Sequence, residues 1–218
     1  MIKIISPLFL LSYLSIHISY ATPVDLQKFI PAQWEIISKA NGDLNADGQS
    51  DVALLIQPEN TQIQDRKLLI LLKNNQSYML YLNKKIPAWT YPDEENCIDD
   101  AISGAGLAIK HGILDVGFNA MNSCSNWYGE GWTYRFQWRN KHLKLIGFEY
   151  WFIYKTDGKS KRYSGNFLTQ KLKTTFANEF DDQIQPQISW KKLIPIQPDQ
   201  LEHIQFEDSP GFLKQMIK

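Results

Sequence analysis

In the stretch TYRFQWR (133–139), Tyr134, Phe136 and Trp138 fall on one side of an extended chain, and Thr133, Arg135, Gln137 and Arg139 on the other. A period of two belongs to a strand with one face in the core and one in solvent, and it argues against a helix over the same residues. Asn140-Lys141 then turns the chain and HLKLIGFEYWFIY (142–154) returns. The unit recurs. RKLLILLKNNQSYMLYLN (66–83) sets two β-favouring runs around Asn74-Asn75-Gln76, where asparagine tolerates the positive φ of hairpin turns. GLAIKHGILDVGFN (106–119) turns at Lys110-His111-Gly112. DVALLIQ (51–57) suits a short buried strand. After an Asp157-Gly158 turn, YSGNFLTQKLKTTF (163–176) reads as one further strand. Residues 84–104, with two prolines and an acidic run, read as a long loop. The expected fold is therefore mainly β: an antiparallel meander of hairpins, arranged as a sheet, a sandwich or a partial-propeller-like array, with few short helices.

The two ends differ from this pattern. Residues 1–21 begin with one cation, Lys3, run through an interrupted apolar stretch and end in Ser19-Tyr20-Ala21. That is the pattern of a signal peptide cleaved after Ala21, and it is short for a transmembrane helix. The expected organisation is a signal peptide over 1–21, a β-rich domain over 22–180, and a C-terminal extension over 181–218 with at most a short helix. Pro186, Pro195, Pro198 and Pro210 exclude one long helix there. The implied location is the periplasm or the outside of the cell.

Lys and Arg number 23 and Asp and Glu 23, so the surface is close to neutral. That balance argues against a nucleic-acid or anionic-membrane partner. The two cysteines, Cys97 and Cys124, allow a single intramolecular disulfide, which an exported compartment permits. Two free thiols are the alternative. The carboxylates around Cys97 in DEENCIDD disfavour a reactive thiolate at that position.

The segment GDLNADGQSD (42–51) carries the clearest chemistry. Counted from Asp43, oxygen-bearing side chains stand at the first, third, fifth and ninth places (Asp43, Asn45, Asp47, Asp51), with Gly48 at the sixth and the Gln49 carbonyl at the seventh. Calcium takes about six to eight oxygens, and a glycine lets a loop wrap sharply around it. The place of the bidentate glutamate of an EF-hand is Leu54, so the loop enters a strand and not a helix. Asp and Asn also build turns on their own backbone, with Gly48 supplying positive φ and no ion present. Followed by its apolar strand, GDLNADGQSDVALL resembles the calcium loop of FG-GAP and VCBS-type repeats. That resemblance implies Asp43, Asn45, Asp47 and Asp51 as side-chain ligands, Gln49 as a main-chain ligand, and calcium as a structural cofactor. The wider order of the chain over residues 30–172 looks like a set of small exported bacterial proteins of undefined activity with one such loop.

Other candidates carry less. His111 and His142 sit beside hairpin turns and read as solvated, and no H-E-x-x-H, G-x-S-x-G or C-x-x-C motif occurs. The acidic run Asp93, Glu94, Glu95, Asp99 and Asp100 reads first as a solvated face, and otherwise as a second cation site or an acid/base pair. Aromatic residues crowd 127–154, and Trp127, Tyr128, Trp132, Arg135 and Arg139 form a candidate binding surface, for which a sugar is a natural stacking partner. Two functions follow as expectations. The first is a non-enzymatic exported binding protein acting on a protein or a cell-envelope component, in one version an inhibitor or immunity-type partner of an envelope enzyme. The alternative is an envelope hydrolase working through Asp93–Asp100.

Overall fold

The computed structural model describes residues 26–59, 66–86, 90–92, 98–100, 106–120, 127–194, 196–197 and 199–206. A 3₁₀ turn at Gln27–Phe29 precedes the strands β1 (Trp34–Gly42), β2 (Asp51–Pro58), β3 (Arg66–Asn74), β4 (Ser77–Ile86), β5 (Thr90–Pro92), β6 (Ile98–Asp100) and β7 (Gly106–Lys110). They continue with β8 (Ile113–Ala120), β9 (Tyr128–Arg139), β10 (His142–Tyr154), β11 (Lys159–Asn166), β12 (Lys171–Asn178) and β13 (Gln187–Lys192). No α-helix occurs among the described residues. The protein is all-β, built from an antiparallel four-stranded sheet, β1-β2-β3-β4, and an antiparallel seven-stranded sheet, β13-β12-β11-β10-β9-β8-β7. β5 and β6 form a separate small ladder within the segment read as a long loop. Neither large sheet closes on itself.

The turns follow the local chemistry. His111-Gly112 and Asn140-Lys141 have φ of 51° and 72°, and of 51° and 66°. Two consecutive positive φ values twist a two-residue hairpin in the sense of its strands. The stretch 163–176, read as one strand, is part of two. The Asn166 Oδ1 accepts the N–H groups of Leu168 (3.0 Å) and Thr169 (2.9 Å), so this side chain imitates a backbone turn and folds β12 back on β11.

The two sheets share one core. Ala53, Leu55, Leu68 and Ile70 from the small sheet cluster with Phe118, Trp132, Tyr134, Phe136 and Phe148 from the large one. β2 and β3 are buried on both faces, because Leu26, Phe29, Ile30 and Trp34 cover Val52, Leu54, Ile56, Leu69 and Leu71 on the far side. β10 carries a bulge between Leu145 and Gly147. The alternation therefore slips by one residue: Leu143 and Leu145 point inward before it, Phe148 and Tyr150 after it.

The described part of the chain beyond 180 joins this architecture. β13 extends the large sheet, and residues 199–201 run beside the start of β10. There the N–H of Leu145 bonds the Asp199 carbonyl (2.7 Å) and the N–H of Leu201 bonds the Leu143 carbonyl (2.8 Å). β11 pairs with β10 only from Gly147 onward, so this segment fills the place that β11 leaves. Leu201, Ile204 and Phe206 then enter the core, with the Phe206 ring centred 4.9 Å from Tyr134 and 5.9 Å from Phe118. The signal-type segment 1–21 lies outside the described residues. Phe206→Ala should lower the unfolding free energy by about 3–5 kcal/mol. Phe180→Ala, at a ring 64% exposed, should change it by less than about 0.5 kcal/mol in the same denaturant titration.

Candidate functional site

The loop 43–50 joins β1 to β2, whose last pair is Gly42 with Asp51. Gly48 has φ 83° and Ala46 φ 62°, and the chain wraps tightly. Every carboxylate oxygen of the three aspartates has an N–H donor. The Asp43 Oδ1 accepts from the Asp47 amide (3.2 Å) and Oδ2 from the Gly48 amide (2.9 Å). The Asp47 Oδ1 accepts from the Gln49 amide (2.8 Å), and Oδ2 from the side chains of Asn45 (3.1 Å) and Gln49 (3.3 Å). The Asn45 Oδ1 also takes the Asp47 amide (3.1 Å). The Gln49 Oε1 reaches across to the Asn75 amide (2.8 Å), which ties the loop to the β3–β4 turn.

Asp51 differs from the other two. It is fully buried, and its oxygens accept the amides of Leu44 (2.8 Å) and Lys73 (2.8 Å). Burial pushes its carboxyl up, against the downward pull of those two N–H groups, while the charge of Asp47 pushes it further up. Mutual repulsion among three aspartates is thus relieved in large part by amide donors. Asp43, Asn45 and Asp47 are solvent-accessible and Asp51 is not, so the residues of the sequence pattern do not all face one open centre. Among the described residues, no three His, Cys, Asp or Glu side chains stand close enough to share an ion.

The aromatic–arginine set divides between faces. Trp132 does not belong to a surface. It is 1% exposed and stacks on Phe118 at 5.4 Å, because it shares the parity of Tyr134 and Phe136. Tyr128 lies at the rim, stacked on Phe152 at 5.2 Å, and Trp127 is 72% exposed just before β9. Arg135 and Arg139 point to the opposite, outer face of the large sheet. Arg135 is committed there to Asp115 (2.9 Å) and Glu149 (3.5 Å), which holds its guanidinium charged. Arg139 is exposed and bonds Gln137 (3.0 Å).

The register gives the outer face its composition. Gly131, Trp151, Arg162, Thr175 and Ile188 form one row across β9 to β13, and Thr133, Glu149, Ser164, Lys173 and Trp190 the next. Trp151 folds flat over Gly131: a Cβ added there would stand 2.6 Å from the indole Nε1. Only glycine leaves that space.

A third constellation escaped the sequence reading, which took His142 as a solvated turn residue. Glu202, Tyr81, Lys84 and His142 meet where the C-terminal segment crosses β4 and β10. The Tyr81 hydroxyl donates to the Glu202 carboxylate, His142 Nδ1 lies 3.4 Å from the same oxygen, and Lys84 bonds the Glu202 carbonyl (3.1 Å). Burial pushes the Glu202 carboxyl up, but the hydrogen bonds from Tyr81, its own amide and His142 outweigh this and hold it below the ordinary value. Burial and the Glu202 charge raise Tyr81, and burial lowers Lys84. Sequence separations of up to 121 residues explain why no local signal marks the cluster.

Cys97, Cys124, Asp93, Glu94 and Glu95 lie outside the described residues. Asp99 and Asp100 fall in β6, where only the backbone is described. No helix among the described residues is long and apolar enough to cross a membrane. Comparison of the chain with known protein families, with curated proteins and with solved structures finds no match in any of the three.

A glutamate whose folded pKa is depressed stabilises the fold above its unfolded value and loses that contribution as pH falls through the folded one. The melting temperature should therefore drop as pH falls below about 4.5, and Glu202→Gln should flatten part of that drop.

Proposed function

We propose that this is an exported, non-enzymatic binding protein whose outer sheet face docks a cell-envelope component, with an anionic glycan as the fitting chemistry. The observation that carries the reading is Trp151 laid over Gly131 on a sheet face that no described strand covers, with Arg162 beside it and Lys173 in the next row. A flat indole stacks on a sugar ring, and the neighbouring cations would meet its carboxylates. Asp115 and Glu149 share Arg135, and Glu179 accepts the Ser160 hydroxyl (2.7 Å) at the rim of the hollow that holds Trp151 and Arg162, so Arg162 and Lys173 are the cations that would meet a carboxylate there and Glu179 an acceptor for a sugar hydroxyl. The signal-type segment 1–21 supports export. The hydrolase alternative rests on Asp93–Asp100, and nothing in the described structure favours it.

The test is cosedimentation of the native chain with purified cell-wall polymer. Trp151→Ala and Arg162→Glu should each weaken binding by about tenfold or more, the scale of a binding hot spot. Binding unchanged by both substitutions overturns this reading. Capture of a protein partner at that face, with no glycan binding, favours the inhibitor-type version instead.

Calcium belongs to the same proposal as a reinforcement of the loop 43–50. A carboxylate oxygen that accepts one N–H retains a further lone pair. An ion held by Asp43, Asn45, Asp47 and the Gln49 carbonyl would add to the turn, with Asp51 serving as its buried strut. At ten times its dissociation constant, calcium should raise the melting temperature by about 3–6 °C over the chelated protein. Asp47→Ala should abolish that shift. Equal melting in calcium and chelator would leave the loop as a metal-free turn.

A further inference from the structure

β13 forms one edge of the seven-stranded sheet, and all six of its residues are exposed. No described strand runs along its free side, and no described element covers either of its faces. Ile188 and Trp190 are 53% and 61% exposed, and Phe176 on the neighbouring strand is 45% exposed. Natural edges are usually blunted by a central charge, a proline or a bulge, because a free row of N–H and C=O groups recruits other strands. Here Pro186 stops short of the strand and Lys191-Lys192 close its far end, but the middle, Ile188-Ser189-Trp190, is unprotected.

We propose that β13 pairs antiparallel with β13 of a second copy, about a two-fold axis at Ser189, joining two seven-stranded sheets into one. The sequence is complementary to itself in that register. Trp190 faces Ile188 of the second copy, and the symmetry makes this aromatic–β-branched pair twice on one face. Lys191 faces Gln187. An axis one residue earlier sets Trp190 against Pro186, and one residue later sets Lys192 against Ile188. Charge selects the same arrangement. Asp181 and Asp182 stand in the connection before the strand, and Lys171, Lys191 and Lys192 gather at its far end, where Lys171 pairs with Lys192. Antiparallel pairing brings the acidic end of each copy to the basic end of the other. The proposal does not rest on the glycan-binding role, although the dimer would set the two outer faces side by side.

Sedimentation of the native chain at roughly 100 μM should give twice the chain mass, falling to a single mass on dilution below the dimer's dissociation constant. Ile188→Lys combined with Trp190→Lys should give a single mass with an unchanged circular dichroism spectrum, since both side chains are exposed. Lys191→Asp with Lys192→Asp, and Asp181→Lys with Asp182→Lys, should each weaken self-association by about tenfold or more and recover it when the two variants are mixed. A native chain of single mass at that concentration overturns the proposal. So does a dimer that survives both lysine substitutions. A single mass that becomes a dimer only on removal of residues 207–218 assigns the edge to the chain's own tail, and equally overturns it.

Discussion

The buried carboxylate of Asp51 is the tie on which the small sheet depends. It sits at the first residue of β2, paired with the last residue of β1, and takes one amide from the loop before it and one from the end of β3. Three segments are thereby held in register by one side chain. A carboxylate in an apolar setting is costly unless its lone pairs are met, and these two short bonds offset part of that cost while burial still holds the carboxyl above its ordinary value. With β2 held at its entry, the run of apolar residues that follows has a defined facing on both sides, toward the large sheet and toward the N-terminal turn.

The two sheets are unequal in width, and the inequality organises the rest. Four strands cannot cover seven. The middle of the large sheet, β8 to β10, receives the small sheet and the C-terminal residues, and its inner face is densely aromatic. Towards β12 and β13 the cover runs out, and exposure rises until β13 has no buried residue at all. Ring stacking and T-shaped contacts around Tyr134, Phe118, Phe148 and Phe206 concentrate the packing at one end.

Much of the strand content was legible from the sequence, because alternation and turn chemistry are local. The hairpins at His111-Gly112 and Asn140-Lys141 stand where the residues indicated. The division of 163–176 was missed because its turn is made by one asparagine side chain inside a run that otherwise reads as β. Parity alone places Trp132 in the core beside Tyr134 and Phe136. Its neighbours in sequence, Trp127 and Tyr128, hid this by making the region look like one aromatic surface. The Asp43–Asp51 loop was legible as a tight acidic turn, but the inward set of Asp51 depends on the Lys73 amide, which only the pairing of β2 with β3 brings near. The Glu202 cluster joins residues from three distant segments and leaves no periodic trace.

The placement of Leu201, Ile204 and Phe206 bears on how the chain reaches this state. These side chains come from the last described stretch, yet they fill space between strands made far earlier. The interior is therefore left without one wall until the chain has been made past residue 206, and assembly is weighted towards contacts distant in sequence, a feature of slow-folding β topologies. A nascent chain not yet extended to Phe206 would offer Phe118 and Tyr134 to any apolar surface nearby.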